Sequence, residues 1–321
     1  MNYRKLGRTG ITVSDIGFGA WGIGGKTAGA TSYGSTDDGA SLDALAAAFE
    51  HGITFYDTSN VYGAGHSETL IGKAFAGRRD RVIIATKAGR RDYEGEDDYS
   101  PAALERSLDE SLKRLGTDHV DLLQLHSPPL DAVRRTEGVV ASLEALRKKG
   151  KIRAFGFSTR SPADAIASIR EFDAPVVQVN LNLVDQRAAQ NGLLELAAER
   201  DVGIIARTPL CFGLLSGTVA PDTVFDSSDH RSLWPRAQIE RWIEGSRLFV
   251  DAVADRNRQS KAQVALRYCL SFPAISSTIP GMLKRSEVEE NARASDMGAL
   301  SAAELADIAR IYNSRSFFVA R

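Results

Sequence analysis

A carboxylate, a phenol, an ammonium and an imidazole stand at comparable places in the first half of the chain. Asp57 closes the stretch Phe55-Tyr56-Asp57, and Tyr62 follows in the polar run Thr58-Ser59-Asn60-Val61-Tyr62-Gly63. Lys87 ends Val82-Ile83-Ile84-Ala85-Thr86-Lys87, and His126 ends Val120-Asp121-Leu122-Leu123-Gln124-Leu125-His126. β-Branched and aromatic residues favour strands in these stretches, while Asn60 and Gly63 favour a turn. A free tyrosine titrates near pH 10, so a phenol needs a neighbouring cation to serve as an acid near neutrality. Lys87 would be that cation, Asp57 would hold it by an ion pair, and His126 would hydrogen-bond and orient a carbonyl oxygen that takes the proton. Plainer readings stand beside this one: Asp57 as a turn or helix cap, Tyr62 as an exposed loop aromatic, and Asp57–Lys87 as a structural ion pair.

The elements that must carry these side chains follow from punctuation and periodicity. Residues 3–6 and 11–13 flank Gly7-Arg8-Thr9-Gly10, a hairpin signal. Strand one is expected over Ile16–Ala20, and Gly22, Gly24, Gly25, Gly29 and Gly34 mark the loop after it. Thr36 or Asp37 caps a helix through Ala44, Leu45, Ala48 and Phe49 that Gly52 stops. Strand two ends at Asp57, a helix runs from Glu68 to Phe75, and strand three ends at Lys87. Beyond the charged loop Ala88–Tyr99, Ser100-Pro101 starts a helix whose Leu104, Leu108, Leu112 and Leu115 keep helical spacing up to Gly116. Strand four ends at His126, where Pro128-Pro129 forbids continuation. A helix Thr136–Lys149, a strand Ile152–Phe157, a helix from Ser161-Pro162, a strand Val176–Leu181, a helix near Leu193–Glu199 and a strand Gly203–Ala206 follow. A long loop from about 209 to 236 leads to a helix containing Ile239, Ile243 and Phe249, then a helix Ala262–Leu270, a strand Ile275–Ile279 and helices near 285–294 and 301–312.

Eight strands alternating with helices imply a parallel sheet, and eight such units in one domain imply its closure. The fold expected is a (β/α)8 TIM barrel, one α/β domain over residues 1–321, with an N-terminal β-hairpin and extra C-terminal helices. In such a barrel chemistry sits at the strand ends that face the loops. Gly17-Phe18-Gly19-Ala20-Trp21-Gly22 loosely has the spacing of a dinucleotide fingerprint, but lacks an acidic residue at the required distance, so these glycines read as a rim loop.

Composition narrows the function classes. The 321 residues are 43% hydrophobic and 25% charged, with a formal net charge of −1, ordinary for a globular chain with a large core. No basic block argues for nucleic acid or an anionic membrane, and no apolar run reaches spanning length. The sequence opens Met-Asn-Tyr-Arg-Lys-Leu, without the apolar core of a signal peptide. Cys211 and Cys269 make neither a disulfide framework nor a metal spacing, and read as buried free thiols of a cytoplasmic protein.

The motifs, in order and over nearly the whole chain, resemble the aldo-keto reductases. The likeness rests on Tyr3-Arg4-Lys5-Leu6-Gly7-Arg8-Thr9-Gly10, Ile16-Gly17-Phe18-Gly19, Asp57-Thr58-Ser59-Asn60-Val61-Tyr62-Gly63, Ala85-Thr86-Lys87, Leu122-Leu123-Gln124-Leu125-His126, Gly156-Phe157-Ser158 and Ile279-Pro280-Gly281. It implies a catalytic tetrad of Asp57, Tyr62, Lys87 and His126, and favours the joint catalytic reading over the structural ones. It also implies an NADP-dependent oxidoreductase that reversibly reduces an aldehyde, ketone or sugar carbonyl, because no side chain delivers a hydride.

By the same resemblance Gly19, Ala20, Trp21 and Asp57 would stand against the cofactor, and Ser158 and Gln178 would hold the nicotinamide amide. Thr159 replaces the usual Asn; Arg207 replaces a frequent aromatic, and its planar guanidinium can also stack. Thr208-Pro209-Leu210-Cys211-Phe212-Gly213-Leu214-Leu215-Ser216-Gly217 would wrap the pyrophosphate with backbone N–H groups. Gly281, Met282, Lys284, Arg285, Glu287, Glu290 and Asn291 fall where the family binds adenine and the adenosine 2′-phosphate; Met282 and Leu283 replace commoner polar or basic residues, and Glu287 replaces a frequent Arg or Gln. Lys284 and Arg285 at a helix start would outweigh Glu287, so NADPH is expected over NADH by a modest margin, with NADH also usable. Trp21, Tyr62, Tyr93, His126 and Trp234 are the expected substrate walls. Ordinary strand-end polarity is the plainer reading of Ser158 and Gln178, and a solvated helix start that of Lys284 and Arg285. The partners expected are a small carbonyl or sugar substrate, no metal, and, left open, a second copy of the chain. The rival readings are a nicotinamide-binding regulatory or sensor subunit with little turnover, an aldose or alcohol dehydrogenase working oxidatively, and a barrel lyase or isomerase without a redox step.

Overall fold

Short runs of valine, isoleucine and leucine between glycine and proline punctuation become strands in the computed structural model, which describes residues 1–27, 29–92, 96–253 and 258–319. A hairpin of β1 (Tyr3–Lys5) and β2 (Thr12–Ser14) comes first. The parallel strands are β3 (Phe18–Gly19), β4 (Phe55–Asp57), β5 (Ile83–Ala88), β6 (Val120–His126), β7 (Ile152–Ser158), β8 (Val176–Asn180), β9 (Gly203–Arg207) and β10 (Ile275–Ile279). They pair in sequence order, each with the next. Gly17 and Gly19 donate to the carbonyls of Thr278 and Pro280 at 2.8 and 2.9 Å, which closes β10 back onto β3. The result is the (β/α)8 barrel. β3 is shorter than the sequence suggests, since Ile16 joins the wall only through a single bridge to Thr278.

The helices are α1 (Asp38–Glu50), α2 (His66–Ala74), α3 (Pro101–Leu115), α4 (Leu130–Arg135), α5 (Val139–Lys148), α6 (Pro162–Phe172), α7 (Arg187–Gln190), α8 (Leu193–Glu199), α9 (Arg236–Asp251), α10 (Lys261–Leu270), α11 (Arg285–Asp296) and α12 (Ala302–Asn313). Their ends obey local chemistry. Asp37 accepts from Ala40 N to start α1, and Ser100 and Ser161 cap α3 and α6 with proline at the first helical residue. Gly116 ends α3 in the left-handed conformation that a residue without Cβ adopts freely. Leu104, Leu108, Leu112 and Leu115 turn their common face inward, as the spacing requires. The short α4 and α7 were not foreseen.

Two apolar layers hold the barrel. Inside, Phe55, Ala85, Leu122, Ala154, Val176, Ile205 and Ile279 meet Leu6, Ile11 and Val13 of the hairpin, which plugs the floor. Gly7 makes this possible: its φ is +51°, and a Cβ there would lie 2.3 Å from Gly203 N. The larger cluster lies between strands and helices. Among the described residues, no helix is long and apolar enough to cross a membrane. With the floor sealed, the open end is the rim carrying Asp57, Lys87 and His126.

Candidate active site

Parallel register brings the three strand ends side by side, with Asp57 beside Ala85 on β5 and Lys87 beside Gln124 on β6. Lys87 is 1% exposed, and its ammonium donates to Asp57 Oδ1, to the Thr58 carbonyl at 2.8 Å and to Tyr62 Oη at 3.2 Å. Burial alone would push the Lys87 pKa down; the Asp57 carboxylate and then Tyr62 outweigh it and leave the group raised, hence charged. Asp57 Oδ2 accepts from Gln124 Nε2 at 2.9 Å and Gln178 Nε2 at 2.8 Å, so the buried carboxylate is fully engaged.

Tyr62 reaches the cluster from a tight loop. Gly63 follows it at φ +60°, where a Cβ would lie 1.9 Å from Gly24 O, so the loop can nest against its neighbour only with glycine there. The Tyr62 and His126 rings meet edge to face, with centroids 5.8 Å apart. His126 Nδ1 pairs with Ser59 Oγ at 3.0 Å. Burial first, then Lys87, Arg90 and Arg207, hold its pKa well below the ordinary value, so the imidazole is neutral. Four groups that the sequence separates thus share one hydrogen-bonded corner.

That corner opens into a cavity of about 550 Å3 running from Tyr62, His126 and Asp57 past Gly19, Ala20, Trp21, Gln178 and Arg207 to Gly281, Leu283, Glu287, Glu290 and Asn291. Thr208, Pro209, Leu210, Phe212, Gly213 and Ser216 line it from the loop after β9. This loop carries left-handed residues at Thr208, Cys211, Phe212 and Gly213, and the amides of Cys211, Gly213, Leu214, Leu215 and Ser216 bond to carbonyls within it. It is tied across the mouth to the loop after β3: His230 N donates to Ser32 O at 2.9 Å, and Trp21 packs on Tyr33 and His230 at 4.9 and 4.7 Å.

Several expected residues stand elsewhere. Ser158 and Thr159 are buried beneath the cavity lining, where Ser158 Oγ donates to Gln178 Oε1 at 3.2 Å and the Thr159 carbonyl accepts from Arg207 Nη2 at 2.9 Å. Leu215 and Met282 are core residues, and Gly217 lies behind the loop against Lys261. Trp234 is not on the wall: Phe212 stands between, at 4.9 Å, because Trp234 anchors to Trp242 of α9. Lys284 stands at the residue before α11 without a side-chain cap bond, its side chain exposed and off the lining. Arg285 is turned away from the cavity. Its guanidinium reaches back to α1, gripping Asp43 with two nitrogens and Glu50 at 2.7 Å. Tyr93 lies outside the described residues. Gln124 and Ser59 are the partners that residue-by-residue reading missed; the signal for Gln124 was an amide set among the leucines of β6.

Among the described residues no cluster of His, Cys, Asp and Glu could hold a metal. A profile of the aldo/keto reductase family matches residues 15–313. The aldo-keto reductase YhdN of Bacillus subtilis (strain 168) is 33% identical over 304 residues, covering 90% of this chain and 87% of that protein. The L-glyceraldehyde 3-phosphate reductase of Escherichia coli (strain K12) is 32% identical, covering 96% of this chain and 91% of its own. The glycerol dehydrogenase structure from Gluconobacter oxydans superposes with a TM-score of 0.80 at 27% identity, over 99% of this chain and 97% of that one. A sealed barrel whose rim gathers Tyr62, Lys87 and a neutral imidazole has relatives over nearly its full length, and the chain belongs to the aldo/keto reductase family of oxidoreductases.

Proposed function

We propose that the chain interconverts a small carbonyl compound and its alcohol with a nicotinamide dinucleotide, Tyr62 exchanging the proton. The observation that carries this is the Lys87 ammonium held 3.2 Å from Tyr62 Oη by a fully engaged Asp57. In reduction, the bound dinucleotide supplies a hydride to the carbonyl carbon. Tyr62 Oη gives its proton to the carbonyl oxygen, and Lys87 stabilises the phenolate left behind. His126, neutral, fixed through Nδ1 and lining the cavity, would orient that oxygen. Orienting the oxygen by donation uses the tautomer with its hydrogen on Nε2, for which the Ser59 hydroxyl turns from Asn60 Oδ1 to Nδ1.

The cavity suits a long anionic ligand. Arg207 lines it, and its buried Nε has no hydrogen-bond partner within the protein, a donor that costs free energy until a ligand meets it. Gln178, Arg207 and the loop Thr208–Ser216 would hold the nicotinamide and pyrophosphate parts, and Leu283, Glu287, Glu290 and Asn291 the adenosine part. Two of the relatives act, by their names, on glyceraldehyde phosphate and glycerol. Short hydroxyaldehydes, hydroxyketones, sugars and polyols therefore head the substrate panel. Absorbance of the reduced nicotinamide is followed with each compound, in both directions and with both dinucleotides. Turnover of at least one is expected; dinucleotide binding without turnover across the panel would favour a regulatory subunit instead.

A further inference from the structure

Resting on that reading of the cavity, we infer that Glu287 makes the chain prefer NADH over NADPH, the reverse of the order that Lys284 and Arg285 suggest in the sequence. The reacting corner lies on β4–β6, so the adenosine end of an extended dinucleotide lies across the rim at β10–α11, where Leu283, Glu287, Glu290 and Asn291 line the cavity. A 2′-phosphate needs a cation or exposed N–H groups at the helix start. Neither basic residue of this segment lines the cavity, and one of its N–H groups is already taken. Arg285 is turned outward onto Asp43 and Glu50 of α1, and the Lys284 side chain is not on the lining. The Leu283 N–H, which points to the helix start, is taken at 2.7 Å by Glu287 Oε2. No cation among the described residues lines this end; the charged groups that do are two carboxylates, Glu287, tethered by one oxygen, and Glu290.

A lining carboxylate tethered by only one oxygen suits a pair of ribose hydroxyls. Each hydroxyl can donate to a carboxylate, whereas a phosphate ester at the 2′ position brings like charge and no donor. The free 2′,3′-diol of NADH is thus the ligand class that fits Glu287.

The test is binding, read by the fluorescence change on titrating NADH and NADPH into the protein without substrate. The wild type should bind NADH about tenfold more tightly or better, the factor set by one charged contact. Glu287→Gln keeps an acceptor for Leu283 N and removes the charge, so its NADPH affinity should rise and the ratio should fall to about threefold or less. Arg285→Ala should leave NADPH affinity unchanged. A wild type that binds NADPH as tightly as NADH, or an unchanged ratio in Glu287→Gln, overturns the inference alone. Binding of neither dinucleotide overturns the cofactor reading and this inference with it.

Discussion

On the rim over β4, β5 and β6, Asp57, Lys87, Gln124 and His126 stand on strand residues no more than 6% exposed, each bonded to another of these groups or, for His126, to Ser59 in the loop after β4. On the rim over β9 and β10 the lining comes from a loop with four left-handed residues before Leu214, bonded to itself and propped by aromatic rings. The first region is positioned by the barrel, the second by its own turns. Substitutions in the first should therefore damage chemistry and stability together, while those in the second should move affinity and leave the fold alone.

Lys87→Met should have the largest effect on the first region. It removes the cation beside Tyr62 and leaves Asp57 buried without an opposite charge, so turnover should fall about 10²–10⁴-fold and stability by about 3–5 kcal/mol. Denaturant melts and steady-state rates check both numbers, and a variant that loses activity at wild-type stability would break the link claimed between them. Gln124→Leu comes next. Asp57 keeps its charge partner but loses one donor, at a cost of about 1–3 kcal/mol and about tenfold in turnover.

The neutral His126 adds a pH signature. Its folded pKa is depressed, so below about pH 6.5 the unfolded chain takes up a proton that the folded site refuses. Stability from this group is complete above that pH and is lost as pH falls. His126→Asn should therefore lose stability less steeply on acidification than the wild type; parallel curves would show that the imidazole titrates freely. His230, also depressed chiefly by burial, contributes equally to both proteins. The smallest effect belongs to the second region: Trp234→Ala removes a ring behind Phe212 and should raise KM a few-fold with kcat nearly intact, as Michaelis curves will show.

The same division explains what the sequence disclosed. Strand ends, the Ser100-Pro101 and Ser161-Pro162 helix starts and the stop at Gly116 are local signals, and each appears where its neighbours require. Asp57, Lys87 and His126 were legible because parallel strand ends meet at one rim, and Tyr62 because its loop follows the first of them. Arg285 was misread because its partner Asp43 lies 242 residues away in sequence. Trp234 was misread for a similar reason: a loop aromatic turns toward whichever partner the tertiary packing offers, here Trp242. α4 escaped because six residues after two prolines carry too little periodicity to register.

The claim at the centre of this account is that Tyr62 Oη is the proton donor. Single-turnover reduction of a good carbonyl substrate, with the reduced dinucleotide already bound to saturation, isolates that step from binding and release. Tyr62→Phe keeps the ring and loses only the hydroxyl. The rate constant should fall about 10²–10⁴-fold while the dinucleotide dissociation constant stays at the wild-type value. A variant that retained more than about half of the wild-type single-turnover rate, far outside that range, would contradict the account.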